Sequence, residues 1–407
     1  MSNNRGVEDY KWAVKEIRLG MKCCGVYFKN DLPKWQRSLI SVRAALNVII
    51  VMNFILIPSI PALIKVWGDL TLIIDNLIVS LPYTLSICHF LTMWFNKKEI
   101  NELFQMIKED WITSEYDFER NIMMRNTKIS RTIVRFAYLI VAWLVAMHNM
   151  PFWILGISPR TYTNLTDGAQ PLIAQTVYFY DLTIGINFKL TAIGQTMSSI
   201  TVGLAYSTAG CIFYTFILHV GGQLKILKIL MEHIFENHEK ESNINYKSVP
   251  KFIRSVVKRH QRIIRFVDSV ENIFNIMFLQ QFIGMIITIS TEGFLVILML
   301  VGDVQVPVVV MGFTILYVSY CMIMTLMYCT GGEYLIESST AIHSAAYESS
   351  WYNSAGKYQV ELSMIILRAQ KPLWITAGKF VPLSLSTYAD MLKTSASYMS
   401  VLLAMKA

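Results

Sequence analysis

Seven apolar stretches divide the chain and leave few folds open to it: 39–60, 70–95, 132–155, 182–220, 273–300, 306–329 and 384–405. A helix of about 20 such residues crosses the roughly 30 Å hydrocarbon core of a bilayer, and every stretch is that long. Composition agrees. Of 407 residues, 54% are hydrophobic and 16% charged, with mean hydropathy +0.43, which is too little polar material to clothe a water-soluble domain. The connections alternate in Lys and Arg: residues 1–38 hold eight, 96–131 hold seven and 221–265 hold ten, against Lys65, Arg160 and Lys189 on the other side. Short loops rich in Lys and Arg stay in the cytosol. The sequence therefore predicts an all-α integral membrane protein with seven transmembrane helices, N-terminus cytosolic and C-terminus extracellular. Orientation also accounts for the net charge of +8, so no nucleic-acid partner is expected.

The same reading removes several function classes. Residues 1–38 are polar and basic without an apolar run of signal-peptide type, which predicts an uncleaved cytosolic tail. The cysteines (Cys23, Cys24, Cys88, Cys211, Cys321, Cys329) form no Cys-x-x-Cys pair, and His233 and His238 stand five apart in a basic segment; neither pattern predicts a metal site, and no cofactor is expected. The chain has no Gly-x-Ser-x-Gly or His-Glu-x-x-His, and Ala377-Gly378-Lys379-Phe380 lacks the rest of a phosphate loop, so an enzyme is not expected. A transporter would show repeated halves with Gly-broken helices at matching positions, which are missing. A metabotropic seven-helix receptor matches the number of spans, but it would place the N-terminus outside. Asn164-Leu165-Thr166 predicts a glycosylation site at Asn164 in the second outer loop.

Two helices are predicted to outrun the membrane. Apolar spacing continues beyond Val220 through Leu224, Leu227, Leu230, Met231 and Ile234, and returns at Phe252, Val256, Ile263 and Val267. A helix from 182 to 234 would measure roughly 80 Å at about 1.5 Å per residue, so four or five turns should project into the cytosol. The chain thus divides into a tail (1–38), six transmembrane helices (39–330, with cytosolic extensions at about 221–265), a cytosolic assembly segment (331–383) and a final helix (384–407).

That final helix has two unlike faces. At about 100° per residue, Leu383, Thr387, Asp390, Thr394, Ser397, Val401 and Met405 fall near one direction, while Leu385, Leu392, Ala396, Met399 and Leu403 fall opposite. A polar stripe in a membrane-length helix should face protein or water. Hydroxyls and a carboxylate followed by Val401 and Met405 would suit a wet conduit (Thr387, Asp390, Thr394, Ser397) closed by an apolar gate, since apolar constrictions close pores by dewetting. Packing on the Ser and Thr side chains of another helix is the alternative.

Three segments carry a family resemblance: HFLTMWFNKKEINELFQMIKEDW at 89–111, YCTGGEYLIESSTAIHSAAYESSWYN at 328–353, and ILRAQKPLWITAGKFVPLSLSTYADMLKTSASYMSVLLAMK at 366–406. They resemble insect odorant receptors. The resemblance implies an odorant-gated, non-selective cation channel in the plasma membrane of olfactory sensory neurons. It implies four subunits around one pore, each contributing its seventh helix, and tuning subunits that pair with a common coreceptor through cytosolic helices. It also puts the gate on Val401 and Met405, three and seven residues after Tyr398. Ala404 replaces a polar residue of the coreceptor, and the coreceptor's long insertion between spans four and five is missing. Both departures point to a tuning subunit.

The resemblance further implies a volatile-binding pocket in the outer half of the bundle, among spans two, three, four and six. With the topology above, the odorant-binding residues are expected to be Ile78, Tyr83, Met147, Met150, Trp153, Met197, Thr201, Phe313, Thr314 and Tyr317. Burying about 250 Å² of apolar odorant at ~25 cal/mol/Å² is worth roughly 6 kcal/mol, a dissociation constant of tens of micromolar. Recognition should then be broad. His148 is expected either to reach the pocket or to sit at the interface, Glu292 to pair with a neighbour or line a vestibule, and Asp390 to lie one turn from Lys393.

Overall fold

The structure is a computed structural model and describes residues 2–27, 33–114, 116–156, 171–232, 249–302, 308–349, 351–353 and 356–406. The predicted sequon at Asn164, with His233 and His238, lies outside these residues. Among the described residues, six helices have the length and apolarity to cross a membrane: Lys34–Lys65, Leu70–Phe95, Asp117–Leu155, Gly185–Glu232, one within Val249–Val301, and one within Val308–Glu348. A seventh, Leu385–Lys406, is long enough at 22 residues but more polar.

Local chemistry explains the helix ends and bends. Asp69 caps the second span by accepting from the Thr71 and Leu72 backbone N–H groups at 2.9 and 3.1 Å. The first span widens into a π turn over Met52–Leu56, just before Pro58. Proline has no N–H for the carbonyl four residues back, and here the Phe54 carbonyl accepts from the Tyr178 hydroxyl instead, at 2.6 Å. The third span likewise ends in a π turn at Pro151–Leu155.

The first and the third to sixth helices run longer than the apolar stretches that mark them. At about 1.5 Å per residue the fourth (48 residues) and fifth (53 residues) measure roughly 72 and 80 Å, and the sixth continues through Glu333 to Glu348 without a break. Apolarity marks where lipid would be, while helical hydrogen bonding continues wherever packing supports it. The N-terminal segment is also more ordered than its polarity suggests. Ser2–Ala13 and Lys15–Cys24 are helices that bury Tyr10, Val14, Ile17, Met21 and Cys24, a spacing of four and three residues that the sequence reading passed over. They pack on the helix Lys97–Thr113 and on the fourth span.

Ion pairs gather at the end of the bundle that carries the basic connections. Asp110 accepts from Arg262 Nε at 2.9 Å and faces His219 Nε2 at 2.9 Å; Arg259 meets Glu119 at 2.5 Å. Burial pushes the Glu16 carboxyl up, but hydrogen bonds from Arg131 and Arg135 outweigh it and hold the group below its ordinary range. Inward of these pairs the core is aromatic, with Phe213, Phe274, Phe278 and Tyr328 fully enclosed.

A short hairpin precedes the seventh helix and pairs Thr376 with Pro382 and Ala377 with Val381. Gly378 (φ 65) and Lys379 (φ 68) form its tip. The fifth span pins it: the Asn275 carbonyl accepts from Gly378 N–H at 2.9 Å, and Glu271 accepts from Thr376 N–H at 2.8 Å.

Candidate functional site

At the end of the bundle away from the ion pairs, the second to sixth spans enclose a cavity of about 130 Å³. Each contributing helix presents one face. The third supplies Val141, Leu144, Val145 and His148, the fourth Ser199, Val202, Gly203 and Tyr206, and the sixth Phe313, Tyr317, Tyr320 and Cys321. These spacings of three, four and seven residues are one stripe of a helix. Ile78, Pro82, Tyr83 and Ser86 close the side formed by the second span, and Met285 and Glu292 come from the fifth.

The floor is polar and tied down. Gln281 Nε2 donates to the Tyr206 hydroxyl at 2.8 Å, and His89 stacks on Tyr206 with ring centroids 4.7 Å apart. Tyr83 and Ser199 share a 2.6 Å hydrogen bond between the second and fourth spans. The lining is otherwise apolar and aromatic, with a few polar atoms that find no partner: both Glu292 oxygens, both His148 ring nitrogens and the Tyr320 hydroxyl. Such a space can take a compact apolar molecule and offer it a small number of polar contacts.

Of the residues expected to bind ligand, the cavity gathers Ile78, Tyr83, Phe313 and Tyr317. Met147, Met150, Trp153, Met197, Thr201 and Thr314 are not among its lining. Met197 and Thr201 stand about half a turn from the Ser199–Tyr206 stripe, and Met150 stands about half a turn from Val141. Met150, Met197 and Trp153 lie exposed on the helix surfaces, and the Trp153 indole donates to the Thr196 hydroxyl at 3.0 Å. Thr201 and Thr314 return their hydroxyls to the carbonyls of Met197 and Val310. Choosing residues by type without fixing the helical phase selects both faces. The fifth span's contribution was missed; the one signal for it was the acidic Glu292 inside an apolar stretch.

The seventh helix leans on the fifth and sixth and leaves a broad face uncovered. Ser384 accepts from Thr387 N–H at 3.3 Å, and Glu333 of the sixth helix accepts from Leu385 N–H at 3.2 Å, so a hydroxyl and a carboxylate cap its positive end. Met391 and Ser395 are buried, and Met399, Leu402 and Leu403 pack on Phe294, Leu295 and Leu298. Asp390, Ser397, Val401 and Met405 lie on the uncovered face, with Thr387 and Thr394 at its partly covered margin. Val401 and Met405 are 55% and 69% exposed. Lys393 reaches Asp390 at 3.4 Å, an exposed pair worth little in stability.

The fifth span joins the two regions. Met285 and Glu292 face the cavity, while on its other side Ser290 Oγ donates to the Ser395 carbonyl at 3.1 Å. At Gly293 an added Cβ would stand 2.8 Å from Met399 Sδ.

Comparison with known proteins places this architecture. The 7tm Odorant receptor family matches residues 69–396. Odorant receptor 85b of Drosophila melanogaster is 28% identical over 183 residues, covering 45% of this chain and 45% of that protein. Odorant receptor 13a of the same organism is 23% identical over 354 residues, covering 82% of this chain and 80% of that one. The chain thus aligns with less than half the length of the first relative and with most of the second. Among solved structures, that of the insect olfactory receptor OR5 from Machilis hrabei in complex with eugenol superposes with a TM-score of 0.79 at 16% identity, covering 100% of both chains. Identity that low makes this a likeness of fold. It adds the seventh helix to the six apolar ones as part of a single all-α, multi-pass membrane architecture. With the family matched over most of its length, the chain belongs to the 7tm odorant receptor family, whose members are receptors and not enzymes.

Proposed function

We propose that this protein is the odorant-tuning subunit of an odorant-gated, non-selective cation channel. A small volatile molecule binds in the cavity, and the uncovered face of the seventh helix lines the pore. The observation that carries this reading is the fifth span, which forms one wall of the cavity with Met285 and Glu292 and holds the seventh helix through Ser290 and Gly293. Ligand that binds the open arrangement more tightly than the closed one shifts the fifth span and moves the Val401 and Met405 gate off the pore axis. Thr387, Asp390, Thr394 and Ser397 line the conduit leading to it.

In this reading the ion-paired end faces the cytosol, as the Lys- and Arg-rich loops require, and the cavity opens toward the extracellular half. The partner is the odorant receptor coreceptor, most simply in a heterotetramer. Its contact surface is formed by the cytosolic extensions and the 331–383 segment. The absence of a long insertion between the fourth and fifth spans, and Ala404 on the exposed face, support the tuning role. One fold neighbour, the olfactory receptor OR5, was solved in complex with eugenol. The site of action is the plasma membrane of olfactory sensory neurons.

The test is a recording from outside-out patches without GTP in the pipette, from cells expressing the chain alone or with the coreceptor, during brief pulses of volatiles. A rapid cation current that requires both subunits is expected, and Val401→Ser or Met405→Ser should raise the basal current. Responses that appear only with nucleotide and intact cytosol would overturn the channel reading in favour of a metabotropic receptor.

A further inference from the structure

We infer that the cavity is built to take small volatile amines, with Glu292 as the group that recognises the ammonium. This deepens the reading of the cavity as the odorant site and rests on it. Glu292 is 1% exposed, lines the cavity, and neither of its carboxyl oxygens has a hydrogen-bond partner. Among the described lining residues there is no Lys or Arg. The charge that acts on Glu292 is that of Asp75 on the second span, itself 4% exposed. Tyr317 and Cys321 of the sixth span feel Glu292 in turn, and His148 of the third is the base among the described lining residues. Glu292 and Asp75 are therefore two buried acids close enough to interact, and among the described lining residues no Lys or Arg stands beside Glu292.

A buried carboxyl without a counter-charge is held protonated or carries a heavy desolvation penalty; a cation delivered by the ligand removes that penalty. The surroundings suit an organic cation. Phe313 and Tyr317 stack with centroids 6.0 Å apart, and Tyr206 and Tyr320 approach at 6.3 Å. Aromatic faces beside a carboxylate attract an ammonium through the negative face of each ring. The aliphatic remainder of the wall receives the hydrocarbon body. Size sets a further limit, since an apolar cavity of about 150 Å³ holds a benzene-sized molecule. The same ammonium–carboxylate pair forms by either route: a neutral amine takes its proton from the Glu292 carboxylic acid, or a protonated amine binds as the Glu292 carboxyl gives its own proton up to water. An alcohol of equal size can hydrogen-bond to the acid but brings no counter-charge.

The test measures binding to the full-length chain in lipid nanodiscs, by thermal unfolding and by titration, with benzylamine, benzyl alcohol and toluene at neutral pH. Benzylamine should bind about tenfold or more tightly than benzyl alcohol, in keeping with a hydrogen bond to a charged group. Glu292→Gln should weaken benzylamine by about tenfold or more while changing benzyl alcohol by less than about threefold, and Glu292→Asp should restore part of the loss. Equal affinity of amine and alcohol in the unsubstituted chain, a comparison that needs no variant, would overturn the inference. So would unchanged amine binding in Glu292→Gln. If benzyl alcohol or toluene binds and benzylamine does not, the odorant cavity stands and its amine preference falls; if none of the three binds, the cavity reading falls and takes the preference with it.

Discussion

At the ion-paired end of the bundle, Phe213, Phe274, Phe278 and Tyr328 interlock with ring centroids 4.7–6.2 Å apart, and Asp110, Glu119, Arg259 and Arg262 tie the surrounding helices together. At the other end, five helices of the same bundle leave about 130 Å³ unfilled and at least three polar side chains unpartnered in its wall. The helices are continuous between the two regions, so backbone propensity does not separate them. Side-chain volume and charge do. A packed, paired region resists repacking; a region with a void and unpaired polar groups gains from whatever fills it, which is what a ligand site requires.

The widest separation between the two ends should appear in truncations of equal kind. Phe213→Ala removes a ring that is fully buried and should cost about 3–5 kcal/mol, whereas Phe313→Ala, on the wall of an existing cavity, should cost about 1–2 kcal/mol. Thermal unfolding of both variants in detergent measures the difference. Equal costs would break the comparison.

Acid should act on the packed end next. Burial, together with the charge of Arg368, lowers His260 from 6.5 to about 4. Between those values the unfolded chain takes up a proton that the folded chain resists, so stability falls as pH drops through that window and is unaffected above it. The loss should be on the order of 1–3 kcal/mol, and His260→Gln should flatten it in a pH series of unfolding midpoints. A profile unchanged by His260→Gln would assign the acid sensitivity elsewhere.

Much of this was legible in the sequence because it depends on averages. Apolar length marked all seven spans, and the spacing of Leu224, Leu227 and Met231 marked the helix that continues past Val220. The stripe at Asp390, Ser397, Val401 and Met405 was legible because a polar residue in a membrane-length helix must be explained. Residue type without phase was insufficient for the cavity. It named Ile78, Tyr83, Phe313 and Tyr317 together with Met150, Met197 and Thr201 from the far faces, since a helix shows which side is inward only once its neighbours are placed. The N-terminal helices were readable in the spacing of Tyr10, Val14, Ile17 and Met21 but were obscured by the polar residues between them. The hairpin at 376–382 gave no periodic signal, because its order comes from Asn275 and Glu271 on a distant span.

The smallest effect should sharpen the link between the regions. Gly293→Ala would press a methyl group toward the flexible end of Met399, which can swing aside, so stability should change by less than about 1 kcal/mol while the ligand concentration for half-maximal current shifts. A change in stability without any change in response would make Gly293 a packing position only.

The central claim is that filling the cavity moves the seventh helix. It is tested most directly by placing a cysteine at Val401 and measuring how fast a charged thiol reagent modifies it, with the coreceptor present, before and during a pulse of an activating volatile. The account predicts faster modification while the ligand is bound, with a change in current as the residue is modified. Equal rates in the two conditions, in a channel that still responds to the volatile, would contradict it.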